Sequence, residues 1–153
     1  MRTVILLPGA LLLLLVTSPE AIACTCGDPL DPEPAFDSSD AVFEATVQAV
    51  RVAGTEREVD LIVTRSWKGV QTRSVVVWTF ASEALCGYPF QIGVAYLVYA
   101  ADTSGRGGES RWSTSVCRRT RPMTEAAEDL AFLSGRTIVD VDGESWGVVK
   151  ARF

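Results

Sequence analysis

The chain has no histidine. That removes the residue most used as general base and as zinc ligand, and with it every Ser-His-Asp or Cys-His arrangement for nucleophilic catalysis. Carboxylates remain, but Asp28, Asp31, Glu33 and Asp37 stand among prolines and read as a solvated loop. The expectation is a protein that is not an enzyme and carries no cofactor of its own. Net positive charge is lacking too: the formal charge is -5 at pH 7, so the chain as a whole attracts neither nucleic acid nor an anionic membrane. Nor is there a membrane-length apolar run. The longest, Val4 to Val16, is interrupted by Pro8-Gly9 and falls short of the ~20 residues a bilayer requires.

What is present begins with an address. Met1-Arg2 is a short basic start, the apolar run follows, and Ala21-Ile22-Ala23 is an A-x-A cleavage pattern, so residues 1–23 read as a signal peptide. The mature chain then starts at Cys24 and is secreted, to the extracellular space or the periplasm. The alternative is a lipoprotein signal in which Cys24 itself is lipidated, the one route to a membrane. Against it stand the polar stretch Thr17-Ser18-Pro19-Glu20 and the weak Ala21.

Cleavage removes Arg2 and Glu20 together and leaves the net charge at -5. About 130 residues remain, enough for one core and one monomeric domain. Its four cysteines form an even set, which in a secreted chain favours two disulfides over a thiol site. Pairing Cys24 with Cys26 closes a strained ring, so each is tied to Cys86 or Cys117. Either arrangement closes loops of roughly 60 to 95 residues, worth about 4 kcal/mol apiece in the chain-entropy model.

Strand periodicity dominates the body of the chain. Phe43, Ala45, Val47 and Ala49 alternate with polar neighbours, and Val59, Leu61 and Val63 repeat the pattern after the turn at Ala53-Gly54-Thr55-Glu56. Ser74 to Phe80 is β-branched and aromatic, which predicts cover on both faces. Val94 to Ala101 and Arg111 to Val116 complete five strands, the last two joined by Ser104-Gly105-Arg106-Gly107-Gly108. Five short strands suggest a small barrel or sandwich. Thr124 as N-cap and Gly135 at C′ predict a helix from Thr124 to Ser134, packing through Ala127, Leu130, Ala131 and Leu133. Residues 135–153 read as a hairpin-like tail around Asp142-Gly143.

A Cys-x-Cys mature start, then Ala35-Phe36, Val42-Phe43, Trp67-Lys68-Gly69, Ala84-Leu85-Cys86-Gly87, Tyr96-Leu97 and Cys117, resembles the N-terminal domain of the tissue inhibitors of metalloproteinases, within the netrin-like superfamily. The resemblance spans about Cys24 to Leu133, so that residues 24–134 form the domain. It implies a mainly β fold, a five-stranded closed barrel of the oligonucleotide/oligosaccharide-binding type (OB-fold) with a flanking α-helix and a disulfide-stapled N-terminal segment. It also implies the pairs Cys24 to Cys86 and Cys26 to Cys117. The partner it implies is a zinc metalloproteinase, whose catalytic zinc keeps one position open for water. The α-amine and carbonyl of Cys24 would chelate that zinc. Thr25 would enter the pocket beside it, with Cys26, Ala84 and Leu85 supplying the surrounding contacts.

The chain departs from the inhibitors at three places. Asp37 follows Ala35-Phe36 where a third disulfide would begin, the inhibitors' disulfide-rich C-terminal domain has no counterpart, and the loop between the first two strands is short. A second reading is a netrin-like binding module that holds another extracellular protein or a glycan and never touches zinc. A third is a thiol-disulfide oxidoreductase using Cys24-Thr25-Cys26. Trp67, Trp78 and Trp112 read as packing residues, with stacking platforms as the alternative. The run Arg118-Arg119-Thr120-Arg121 reads as a solvated cluster, with docking of an acidic partner as the alternative.

Overall fold

The computed structural model describes residues 24–27, 30–105 and 111–141. The segment 1–23 expected as a signal peptide, the glycine-rich tip after Gly105 and the turn expected at Asp142-Gly143 lie outside the described residues. In chain order the elements are helix α1 (Pro32–Asp37), strands β1 (Ala41–Ala53), β2 (Glu56–Lys68), β3 (Ser74–Phe80), β4 (Ala95–Asp102), β5 (Trp112–Ser113) and β6 (Arg121–Pro122), and helix α2 (Ala127–Leu133). Single 3-10 turns occupy Glu83–Leu85 and Met123–Glu125.

The strands make one mixed six-stranded sheet in the order β1-β2-β3-β5-β4-β6, and β1 also pairs with β4, so the first five strands follow one another in a ring. β1 can serve two partners because it is long and irregular. Register shifts at Val42/Phe43, Glu44/Ala45 and Val47/Ala49 bend it, so that Val42 to Ala53 run against β2 while Ala41 to Thr46 also pair with β4. All neighbours are antiparallel except β3 and β5, which meet in parallel at Val77–Trp112 and Trp78–Ser113.

Two apolar clusters divide the interior. Phe43, Ala45, Val47, Leu61, Val77 and Val98 belong to the larger, inside the ring. Val42, Trp67, Leu97 and Tyr99 point the other way and pack with Ala35 of α1 and Leu133 of α2. β4, buried continuously from Tyr96 to Ala100, therefore lies between two cores. β3 does not. Its burial alternates, leaving Val76 and Phe80 exposed, because the helices cover β1 and β4 instead. The expectation of cover on both faces of β3 is corrected accordingly.

Other corrections have equally local causes. The sheet has six strands and not five, β6 being a two-residue pairing of Arg121 and Pro122 with Leu97 and Tyr96. β5 is only Trp112–Ser113: the Thr114 amide still bonds to β3 at the Trp78 carbonyl, but the Val116 amide turns to the Cys86 carbonyl instead. The Pro-Glu-Pro stretch expected as loop is helical, with Pro32 at its first turn where no N–H is needed. Helix α2 begins at Ala127, after the 3-10 turn that contains Thr124, and its N-cap Ala126 provides no side-chain hydrogen bond. Its inward positions are Ala126, Asp129 and Leu133, whereas Ala127 and Ala131 are exposed. Of the tail, Val139 donates to the Ser66 carbonyl at 2.8 Å, laying this segment along the end of β2 that lies beyond its pairing with β3.

Candidate functional site

Cys24 is bonded to Cys86 and Cys26 to Cys117, each pair with Cα atoms 5.1 Å apart. These are the pairs that the resemblance implies. Because the two cysteines of Cys24-Thr25-Cys26 have different distant partners, the tripeptide is not a dithiol pair, and the oxidoreductase reading loses its redox couple. Among the described residues the one grouping of three metal-ligand side chains is Cys24, Cys26 and Cys117, with sulfurs within 4.8 Å of one another. Both bridges consume them, so no thiolate is offered to a metal.

The bridges bring the N-terminal segment onto the turn after β3. Thr25 and Cys26 are exposed and Cys24 is half-buried. Across the Cys24–Cys86 bridge stand Ala84 and Leu85, both exposed, Leu85 by 48 %. The turn that presents them is densely bonded. The Ser82 hydroxyl accepts from the Ala84 amide at 3.2 Å, and the Ser82 carbonyl accepts from Leu85 and Gly87 at 3.0 and 2.9 Å. Cys86 ends the turn in the left-handed region at φ 63°, strained for a residue with a Cβ. Gly87 follows where a Cβ would meet the Phe80 carbonyl oxygen at 2.0 Å, so the chain can fold back onto β3 only with glycine there. The Cys86 carbonyl then accepts from Val116 at 3.0 Å, joining this turn to the strap that carries Cys117. All five residues expected to contact a partner, Cys24, Thr25, Cys26, Ala84 and Leu85, thus share one sulfur-pinned edge.

The arginine run divides in the structure. Arg119 is structural: its side chain is only 7 % exposed, donating from Nε to Asp129 Oδ1 at 2.6 Å, from Nη2 to Glu128 and from Nη1 to the Leu30 carbonyl at 2.5 Å. Asp129 is fully buried on α2, accepts also from the Tyr99 hydroxyl at 2.8 Å, and lies 3.5 Å from Arg121 Nη1. Burial works against the Arg119 charge, but its bonds to Asp129 and Glu128 outweigh this and raise its affinity for the proton. Burial, reinforced by the Asp129 hydrogen bond, pushes the Tyr99 phenol well above its ordinary range. Arg118 makes no ion pair among the described residues and borders a surface cavity of about 400 Å³, with Cys26, Cys117, Arg121 and Tyr88 among its other walls. Neither Asp129 nor Tyr99 carries a sequence signal for this role, since only the fold brings them to Arg119.

The three tryptophans among the described residues pack, Trp112 against the larger core. Trp67 is buried with Arg65 over its ring, and Arg111 lies 4.5 Å from the Trp78 ring centre while pairing with Glu56 at 2.7 Å. Arg111 therefore occupies the Trp78 face that a sugar or base would need. No helix among the described residues is long and apolar enough to cross a membrane. No protein-family model matches the chain, and no curated protein matches its sequence.

Proposed function

We propose that this chain is a secreted, disulfide-stapled inhibitor of zinc metalloendopeptidases, built on a five-stranded barrel of the OB-fold type with β6 and the helices as additions. The ring of pairings β1-β2-β3-β5-β4-β1, with its single parallel contact, supports the barrel. One observation carries the functional reading: Cys24-Thr25-Cys26 is held at the surface by two bridges, beside an exposed Ala84-Leu85 on a rigidly bonded turn.

In a chain starting at Cys24, the α-amine and the carbonyl of that residue are adjacent donors that can displace the zinc-bound water of a protease. Thr25 is the side chain next along the ridge, and Leu85 the apolar contact beside it. Holding these groups in place before binding reduces the entropy lost in the complex. The amine donates only when neutral. Inhibition should therefore strengthen as pH rises to the ordinary α-amine range of about 7.7 to 8.0 and then level off.

The test compares two proteins against a panel of zinc metalloendopeptidases: one beginning at Cys24, the other carrying one extra alanine before it. The proposal expects inhibition by the first alone. Equal inhibition by both would reject chelation through the amine. Inhibition by neither, with both disulfides mapped, would favour the netrin-like module that binds an extracellular protein or glycan.

A further inference from the structure

The two disulfides touch. The Cys117 sulfur lies 3.7 Å from the Cys24 sulfur and 3.7 Å from the Cys86 sulfur, so one atom of the second bridge contacts both atoms of the first. Cys26 and Cys117 are exposed, and both border the cavity of about 400 Å³ whose walls include Arg118, Arg119 and Arg121. Arg119 is neutralised by Asp129 and Glu128, and Arg121 partly by Asp129. Arg118, beside Cys117 in the chain, has no ion-pair partner among the described residues, and Glu125 is the acidic residue among the described walls of the same cavity.

From these contacts we infer that the Cys26–Cys117 bridge is a receptive site for a small carboxylate-bearing thiol, and that Cys117 relays the exchange to the Cys24–Cys86 bridge. The incoming thiolate attacks the Cys26 sulfur and forms a mixed disulfide there. The Cys26–Cys117 bond breaks and its electron pair leaves on Cys117, the end beside the arginines, where a departing thiolate is best stabilised. The Cys117 thiolate then attacks the Cys86 or the Cys24 sulfur, forming Cys86–Cys117 or Cys24–Cys117. The other sulfur of that bridge leaves as a thiolate and takes a proton from water. One thiol is consumed and one is released, two disulfides are present before and after, and no external oxidant is needed. The outcome is a rearranged tether for Cys24-Thr25-Cys26. This inference concerns the sulfur framework and stands or falls independently of zinc chelation.

The experiment uses the full secreted chain with its bridges formed, exposed to limiting reduced glutathione, quenched by acid and alkylation, and mapped by mass spectrometry. The expected product carries glutathione on Cys26 together with Cys86–Cys117 or Cys24–Cys117. Adduct on Cys26 with Cys117 free and Cys24–Cys86 intact would overturn the relay, and failure to form an adduct would overturn the receptive site. In Cys26→Ser, which leaves Cys117 unpaired from the start, the expected material is a mixture in which Cys117 is bonded to Cys24 or Cys86; uniform Cys24–Cys86 would contradict the relay. Judged against each thiol's rate with 2-hydroxyethyl disulfide at equal thiolate concentration, which removes their difference in intrinsic nucleophilicity, mercaptoacetate should open the bridge several-fold faster than cysteamine, and Arg118→Ala should abolish that excess. No excess in the parent protein would remove the carboxylate from the proposal.

Discussion

Two regions of this molecule are organised by opposite means, and a single strap of chain serves both. At one end Cys117 anchors an edge of exposed side chains through covalent bonds. A few residues on, Arg119, Thr120 and Arg121 anchor α2 and β4 through buried hydrogen bonds, with Tyr99 and Asp129 at the centre. The first region spends little apolar burial and leaves its residues free to meet a partner. The second removes the Arg119 and Asp129 charges from water and sets them against each other, with Asp129 Oδ2 accepting no hydrogen bond and lying 3.5 Å from Arg121. Disulfides act largely by limiting the unfolded chain, whereas a buried ion pair acts in the native state alone. The two should therefore fail under different conditions.

The largest effect should come from the sulfur side. Replacing both Cys26 and Cys117 by alanine opens a bridge with a sequence separation of 91 and should lower stability by about 4 kcal/mol in denaturant unfolding. With all cysteines reduced, this variant and the parent should converge. Asp129→Ala should cost about 3 kcal/mol, because it leaves Arg119 and the Tyr99 hydroxyl buried without their shared acceptor, and that loss should persist in reductant. Persistence of the first loss, or disappearance of the second, would break the division between the regions.

Alkali should separate them more gently. The Tyr99 phenol, and Tyr88 by burial as well, ionise at higher pH in the folded than in the unfolded chain. Folding thus favours the protonated form. The associated stability is fully present below the ordinary tyrosine range near pH 10 and is lost as pH rises through the folded values. Tyr99→Phe should flatten that alkaline decline, measured by unfolding at a series of pH values. The smallest effect is expected at Leu85→Ala: about 0.5 kcal/mol or less in stability, since the side chain is half-exposed, together with weaker protease inhibition.

The sequence was legible where one face alone had to be buried. Alternation in Phe43 to Ala49 and Val59 to Val63 located β1 and β2, and Ser74 to Phe80 matched β3 to the residue. It misled where short-range signals compete. Prolines and acids around α1 read as loop although Pro32 suits a first helical turn, and the capping pattern at Thr124 served a 3-10 turn. Asp129 was illegible because a carboxylate is buried only when distant donors converge on it, and Tyr99 lies 30 residues away. At the candidate site the cysteines marked the edge themselves. The separation of Arg118 from Arg119 depended on which guanidinium the fold would bury.

The most direct test of the account is the affinity of the chain beginning at Cys24 for one susceptible metalloendopeptidase, measured before and after that enzyme's zinc is removed. Chelation by Cys24 predicts that binding falls by orders of magnitude without zinc and returns when zinc is restored. Affinity that is unchanged by zinc removal would contradict it.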